Sequence, residues 1–340
     1  MSFKSPIKVV CQGAGYFSRF HYDAWQRIAD ALPVASVNRD IEKAKATGLA
    51  AYDNLEQALD DHAPDLLDII TPPETHLDTI RRATAKGVRV IICQKPFCRD
   101  LEEAKEAVAI AKQAETILVV HENFRFQPWY RLMREEIENG RIGTLLQLTF
   151  RLRTGDGQGE NAYLDRQPYF QTMPRLLIHE TGVHFIDVFR YMLGEPDTIY
   201  ADLRRHNPVI AGEDAGHFIM GFADGSRAVF DGNRLLDHNA ENHRVTLGEA
   251  AAEGTDGTLF LDGAGAVRFR RFGAQEEEIL LEPQQYQGFG GDCVHALQKH
   301  VIQGLISGTP IENLAEDYLR NIKLVEAVYR SNETGKRINL

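Results

Sequence analysis

Residues 7–27, IKVVCQGAGYFSRFHYDAWQR, decide the fold. An apolar run stops at Gly13, a second glycine follows at position 15, and a helical pattern runs from Phe17 to Ala31. Gly13 permits a tight turn, and Gly15 lets the backbone come close to a pyrophosphate at the helix N-terminus. Ser18 stands where G-x-G-x-x-G has its third glycine and is small enough for close helix packing. Alone, such a turn is a weak signal over an ordinary strand-to-helix junction. Its surroundings give it meaning.

Up to Asn123 the same rhythm repeats. The strand-like runs PVASVN, LLDIITP, RVIICQKP and TILVVHEN alternate with helical patterns at Asp40 to Thr47, NLEQALDD, HLDTIRRATAKG and DLEEAKEAVAIAKQAE. Buried runs separated by helices predict an α/β domain with a doubly wound parallel sheet, a Rossmann arrangement. Beyond Asn123 the period drops to two. TLLQLTFRLR alternates apolar and polar residues, GHFIMGF and SRAVFDG flank the hairpin signal Ala223-Asp224-Gly225, and HRVTLG, TLFLDG, VRFRRF and EEEILLEP read as further strands. Helices are expected around Cys293 to Ile306 and Leu314 to Ser331. The expected division is 1–122, an NAD(P)-binding domain, and 123–340, an α+β domain with a large, mainly antiparallel, open-faced sheet. Such a face needs a cover, so a homodimer or homotetramer through the C-terminal sheet is expected.

The chain has 340 residues, 38 basic and 49 acidic side chains and a net charge of −11. That balance repels phosphate backbones and argues against nucleic acid as a partner. No apolar run approaches the roughly 18 to 20 residues of a membrane span, and the N-terminal residues lack a signal-peptide core, so a cytoplasmic protein with no membrane partner is expected. Cys11, Cys93, Cys98 and Cys293 form no C-x-x-C pair, which leaves neither a disulfide framework nor a zinc ribbon.

The second strand ends in Asn38-Arg39-Asp40, where an acid binds a ribose hydroxyl and an arginine pairs with a 2′-phosphate. A neutral Asn followed by Arg leaves NAD and NADP both open. Two proline-stiffened turns, 71-TPPETH-76 and 93-CQKPF-97, stand at neighbouring strand tips and suggest a floor for a flat ring. Lys95, by composition a surface lysine, gains a candidate role from that position.

The segment 178-IHETGVHFIDVFRYMLG-194 comes within one residue of the zinc signature H-E-x-x-H. His179 and His184 are five apart, about 140° around a helix, and cannot share a metal from an unbroken one. No metal is expected. On an unbroken helix Glu180, His184, Asp187 and Tyr191 fall within roughly 60° of arc. Such a stripe is either solvated or a site in which Glu180 orients His184 for proton transfer. The aperiodic stretch 154-TGDGQGENAYLDRQPYFQTMPR-175 reads either as a flexible solvated loop or as a ligand loop carrying Tyr163, Asp165, Arg166, Tyr169 and Arg175.

GAGYFSRFH, TPPETH, CQKPF, ENFRFQP, ETGVHFIDVFRYMLGEP and LVEAVYRSNETGKRINL, in this order, resemble the Gfo/Idh/MocA family of NAD(P)-dependent oxidoreductases over essentially the whole chain. The resemblance implies hydride transfer between NAD or NADP and a secondary alcohol or carbonyl of a sugar, an inositol-like polyol or a related substrate. The family's E-K-P falls on Gln94-Lys95-Pro96 and its D-x-x-x-H on Glu180 and His184. These imply Lys95 and His184 as catalytic groups serving one hydroxyl, with Glu180 orienting the imidazole. Cofactor contacts are expected from Gly13, Gly15, Tyr16, Phe17, Asn38, Arg39, Thr71, Pro72, Pro73, His76, Gln94 and Lys95. Substrate contacts are expected from Lys95, Asn123, Tyr169, Arg175 and His184. Gln94 departs from the family's glutamate, Glu180 from its aspartate, and Arg175-Leu176 from its small glycines. A non-enzymatic dinucleotide-binding regulator is the alternative. A methyltransferase would leave the lysine turn and histidine helix unexplained.

Overall fold

The computed structural model describes residues 3–340. The chain forms two compact units, one ending at Asn123 and taking in Asp292–Ile322, the other made of Phe124–Gly291 and Lys323–Leu340.

The first unit holds β1 (Ile7–Gln12), α1 (Ser18–Arg27), β2 (Ala31–Val37), α2 (Ile41–Lys45), β3 (Ala50–Tyr52), α3 (Leu55–His62), β4 (Leu66–Ile69), α4 (His76–Ala85), β5 (Val90–Gln94), α5 (Leu101–Gln113) and β6 (Ile117–His121). Its six strands run in the order β3-β2-β1-β4-β5-β6, and all are parallel. Val9, Val10, Leu66, Leu67, Ile91 and Ile92 are wholly buried, as strands covered on both faces must be. Cys11 and Cys93 fill the same layer, and burial pushes both thiols well above their usual range. Asp40, Asn54 and Asp100 cap α2, α3 and α5 by accepting from backbone N–H groups.

The second unit opens with α6 (Pro128–Glu138), followed by β7 (Leu145–Leu152), α7 (Val183–Leu193), β8 (Thr198–Arg204), β9 (Ala215–Gly221), β10 (Arg227–Asn233), β11 (Gly248–Gly254), β12 (Gly257–Leu261), β13 (Val267–Arg271) and β14 (Glu278–Leu281). After α8 (Phe289–Ser307) and α9 (Ala315–Thr334), the short β15 (Ile338–Asn339) closes a nine-stranded sheet ordered β14-β13-β12-β11-β7-β10-β9-β8-β15. Only β10 and β7 pair in parallel. Phe150, Phe218 and Phe230 point to the buried face, where Phe185 of α7 stacks on Phe150 at 3.8 Å and Phe189 meets Phe218 edge-on at 6.1 Å.

Several elements differ from the sequence reading. The segment Asp292–Ile322 packs with the first unit, because Arg27 grips the Asp292 carboxylate at 2.7 and 2.6 Å and Asn313 and Tyr318 bond Glu122. HRVTLG is turn up to Leu247, and the strand is the alanine-rich Gly248–Gly254, where pairing with β7 and β12 overrides a composition that favours helix. α1 ends at Arg27 rather than Ala31, which already belongs to β2. β3, β8, β15 and α6 had no counterpart in the sequence reading. No helix among the described residues is long and apolar enough to cross a membrane.

Candidate active site

Because the first sheet is parallel, its strand registers bring one set of loops to a single edge. Gln12 pairs with Ile69, Ile69 with Cys93, and Gln94 with His121. The Gly13 turn, the Thr71 turn, Lys95 and Asn123 therefore line the carboxyl edge. The chain order reverses there, between β1 and β4, which is where such folds bind ligands.

The turn after β1 fits a dinucleotide. Gly13 sits at φ +113°, and a Cβ there would lie 2.9 Å from the Ile70 carbonyl. Gly15 has open space on its Cβ side. Phe17 occupies the N-cap of α1 and offers no polar side chain to cap it, and a helix N-terminus of this kind suits a phosphate.

Neighbouring residues brace this edge. Asn38 accepts from the Ala14 N–H at 3.2 Å and donates to the Asp40 carbonyl at 3.0 Å, holding the glycine turn to β2. Arg39 is exposed. Tyr16, 41% exposed, lies under the Arg19 guanidinium. His76 is fully buried, with Nε2 2.7 Å from the Thr71 carbonyl and Nδ1 accepting from the Cys98 N–H at 3.4 Å. It ties the Thr71 turn to the Lys95 turn, and burial lowers its pKa to about 4. Pro72 enters its turn extended and Pro73 opens a short 3₁₀ turn. The Gln94 side chain accepts from the Lys95 N–H at 2.8 Å. Asn123 is 3% exposed, and its amide nitrogen has no hydrogen-bond partner among the described residues.

In the second unit the histidine segment is not one helix. Leu177–Gly182 form a π turn, and α7 begins only at Val183. The 100° step holds for His184, Asp187 and Tyr191 on α7, while Glu180 lies in the π turn that precedes them. The stripe is not solvated. His184 is 5% exposed and stacks face to face on Phe124, with centroids 3.8 Å apart and planes 4° apart. Arg125 holds the wholly buried Asp187 in a fork at 2.7 and 2.6 Å, and Arg131 donates to the Tyr191 hydroxyl at 2.9 Å.

Ala162, Tyr163 and Phe170 of the 154–175 stretch pack with Leu176 and Ile210 into a small core, which sets aside the flexible-loop reading. Tyr169 is 53% exposed, and its pKa is raised by partial burial first and then by the charge of Glu180. Burial drags the Arg234 guanidinium down, but Tyr163, Asp156 and Glu180 outweigh it and keep it above its usual value. Arg175 is engaged by Glu326 at 2.6 Å and lies over the Tyr329 ring, so its charge is matched within the protein.

Sequence reasoning gave no role to Phe124 and Arg125 individually, although both lie in the quoted ENFRFQP. It passed over Arg234, which follows an ordinary strand without a motif to mark it.

Comparison with known proteins now adds to this geometry. A model for an oxidoreductase family with an NAD-binding Rossmann fold matches residues 7–122, and one for the GFO/IDH/MocA C-terminal domain matches residues 130–259. The chain is similar to D-apiose dehydrogenase of Paraburkholderia graminis, 30% identical over 96% of this chain and 88% of that one. D-apiose dehydrogenase of Rhizobium rhizogenes is 28% identical over 98% and 97%. A crystal structure of an oxidoreductase from Agrobacterium radiobacter in complex with NAD+, L-tartaric acid and magnesium matches with a TM-score of 0.88 at 27% identity, covering 98% of each chain. With both domain models matched and a full-length relative at this identity, the chain belongs to the Gfo/Idh/MocA family of NAD-binding oxidoreductases.

Proposed function

We propose that this protein is an NAD-dependent dehydrogenase that oxidises a secondary alcohol of a sugar or polyol to the carbonyl, and catalyses the reverse reduction. The observation that carries the reading is the position of Lys95, at the end of β5 on the edge that also holds the dinucleotide-fitting glycine turn. Relatives named as sugar dehydrogenases support the substrate class and favour an enzyme over a regulator. Bound nicotinamide supplies the hydride acceptor. Lys95 donates a hydrogen bond to the substrate oxygen and stabilises its developing negative charge, while His184 takes the hydroxyl proton. Stacking on Phe124 fixes the imidazole plane for that transfer. The unpartnered Asn123 amide is suited to a substrate hydroxyl. Glu180 and Tyr169 lie close enough to interact electrostatically, and their proposed task is to bind or polarise groups around the imidazole.

Lys95→Met lowers kcat on the order of 10³-fold or more while the NAD dissociation constant stays within about threefold. If Lys95 and His184 act as a unit on the same hydroxyl, the double variant is no worse than the poorer single one. Undiminished turnover in Lys95→Met, followed at the NADH absorbance with a panel of sugars and polyols, rules the assignment out. Thermal-shift titration with NAD and NADP in parallel tests the cofactor, with the larger shift expected for NAD.

Self-association is proposed through the open face of the large sheet. Across six strands one row reads Tyr200, Ile219, Val229, Thr149, Ala251 and Phe260, each paired with the next. A parallel row carries Asp202, His217, Asp231, Arg151 and Glu249. An uncharged centre beside charges of both signs suits a second copy of the same face.

A further inference from the structure

Gln94 ends β5 with its side chain held at both ends. Its Oε1 lies 2.8 Å from the Lys95 backbone nitrogen and its Nε2 3.0 Å from Nε2 of His21. His21, on α1, places Nδ1 2.8 Å from an Asp68 oxygen that also accepts from the Trp25 indole at 2.7 Å. His21 and Asp68 are wholly buried, and Gln94 is 9% exposed.

Counting donors fixes every proton in this chain. A backbone N–H only donates, so the Gln94 atom facing Lys95 is oxygen and its NH2 faces the imidazole. An NH2 also only donates, so Nε2 of His21 accepts. The one proton of a neutral imidazole then sits on Nδ1 and goes to the Asp68 carboxylate. No other assignment leaves all three contacts bonded.

We propose that Gln94 is a positioning residue: its amide locks His21 in the Nδ1–H tautomer and, through the same group, ties the Lys95 backbone to α1. The N-terminus of α1 is the proposed pyrophosphate site, so the link registers the lysine turn against the cofactor. A carboxylate at position 94 would set a negative oxygen against the Nε2 lone pair, where the Gln94 amide supplies a donor. The His121 ring packs against the imidazole at 4.2 Å.

The test is a long-range 1H–15N correlation on protein labelled at histidine, with the His21 signals assigned by their loss in His21→Gln. Where that variant does not fold, their displacement in Gln94→Leu assigns them. The native protein is expected to show a proton on Nδ1 and a bare Nε2. A native proton on Nε2 overturns the proposal. The effect on turnover rests on Lys95 being the catalytic amine. Gln94→Leu lowers kcat roughly 10- to 100-fold, the scale of a misplaced reacting group, with KM for NAD within about twofold. An unchanged kcat overturns the positioning role. If Lys95→Met is itself active, the catalytic reading fails while the tautomer result stands on its own.

Discussion

His76 braces two turns and carries a cost that depends on pH. Its folded pKa is about 4, against 6.5 for the free side chain, with burial the main cause and Glu74 and Glu103 pulling the other way. Above pH 6.5 the ring is neutral in both states and the contribution to stability is intact. As pH falls from 6.5 toward 4 only the unfolded chain takes up the proton, so stability is lost across that window. Between pH 7 and pH 5 the native protein should lose about 2 kcal/mol more than His76→Gln, measured by urea unfolding. Equal losses in the two proteins count against the assignment. Arg125 and Asp187 pose a different risk, since removing one partner strands the other in the interior. Arg125→Met should cost about 3 to 5 kcal/mol, and the double replacement with Asp187→Leu clearly less, because no buried charge then remains unmatched. If the double variant is the less stable, the pair is not held together by its charges.

At the scale of elements, the β1–α1 junction makes a conformational demand that glycine meets. Gly13→Ala adds a methyl at a positive φ, 2.9 Å from the Ile70 carbonyl. The turn must shift, and with it the amides at the head of α1. Its expected effect is a loss of about 1 to 3 kcal/mol in stability and at least a tenfold weaker hold on NAD, read by thermal shift with and without the nucleotide. Native-like NAD binding in Gly13→Ala contradicts the role given to this turn. The π turn over Leu177–Gly182 sets how Glu180 enters the helix, and no feature of LIHETG announces it.

For the molecule as a whole, the open sheet face is the surface proposed to meet a second copy. Val229 lies in the middle of its uncharged row, partly exposed and away from the buried aromatic layer. Val229→Glu should reduce the assembly measured by sedimentation while leaving the circular dichroism unchanged. A native monomer, or an assembly indifferent to the change, ends the proposal. The sequence by itself determined five of the six strands of the first sheet, the change of period after Asn123 and the turns that carry Gly13 and Lys95, because strand runs and glycine or proline turns are encoded by adjacent residues. It misjudged the alanine-rich β11, whose strand state comes from its neighbours β7 and β12. It could not foresee that Asp292–Ile322 joins the first unit, that Phe124 stacks on His184 or that Gln94 reaches His21. These are meetings between residues distant in the chain, and only the packed fold, which sets burial and donor geometry together, selects them.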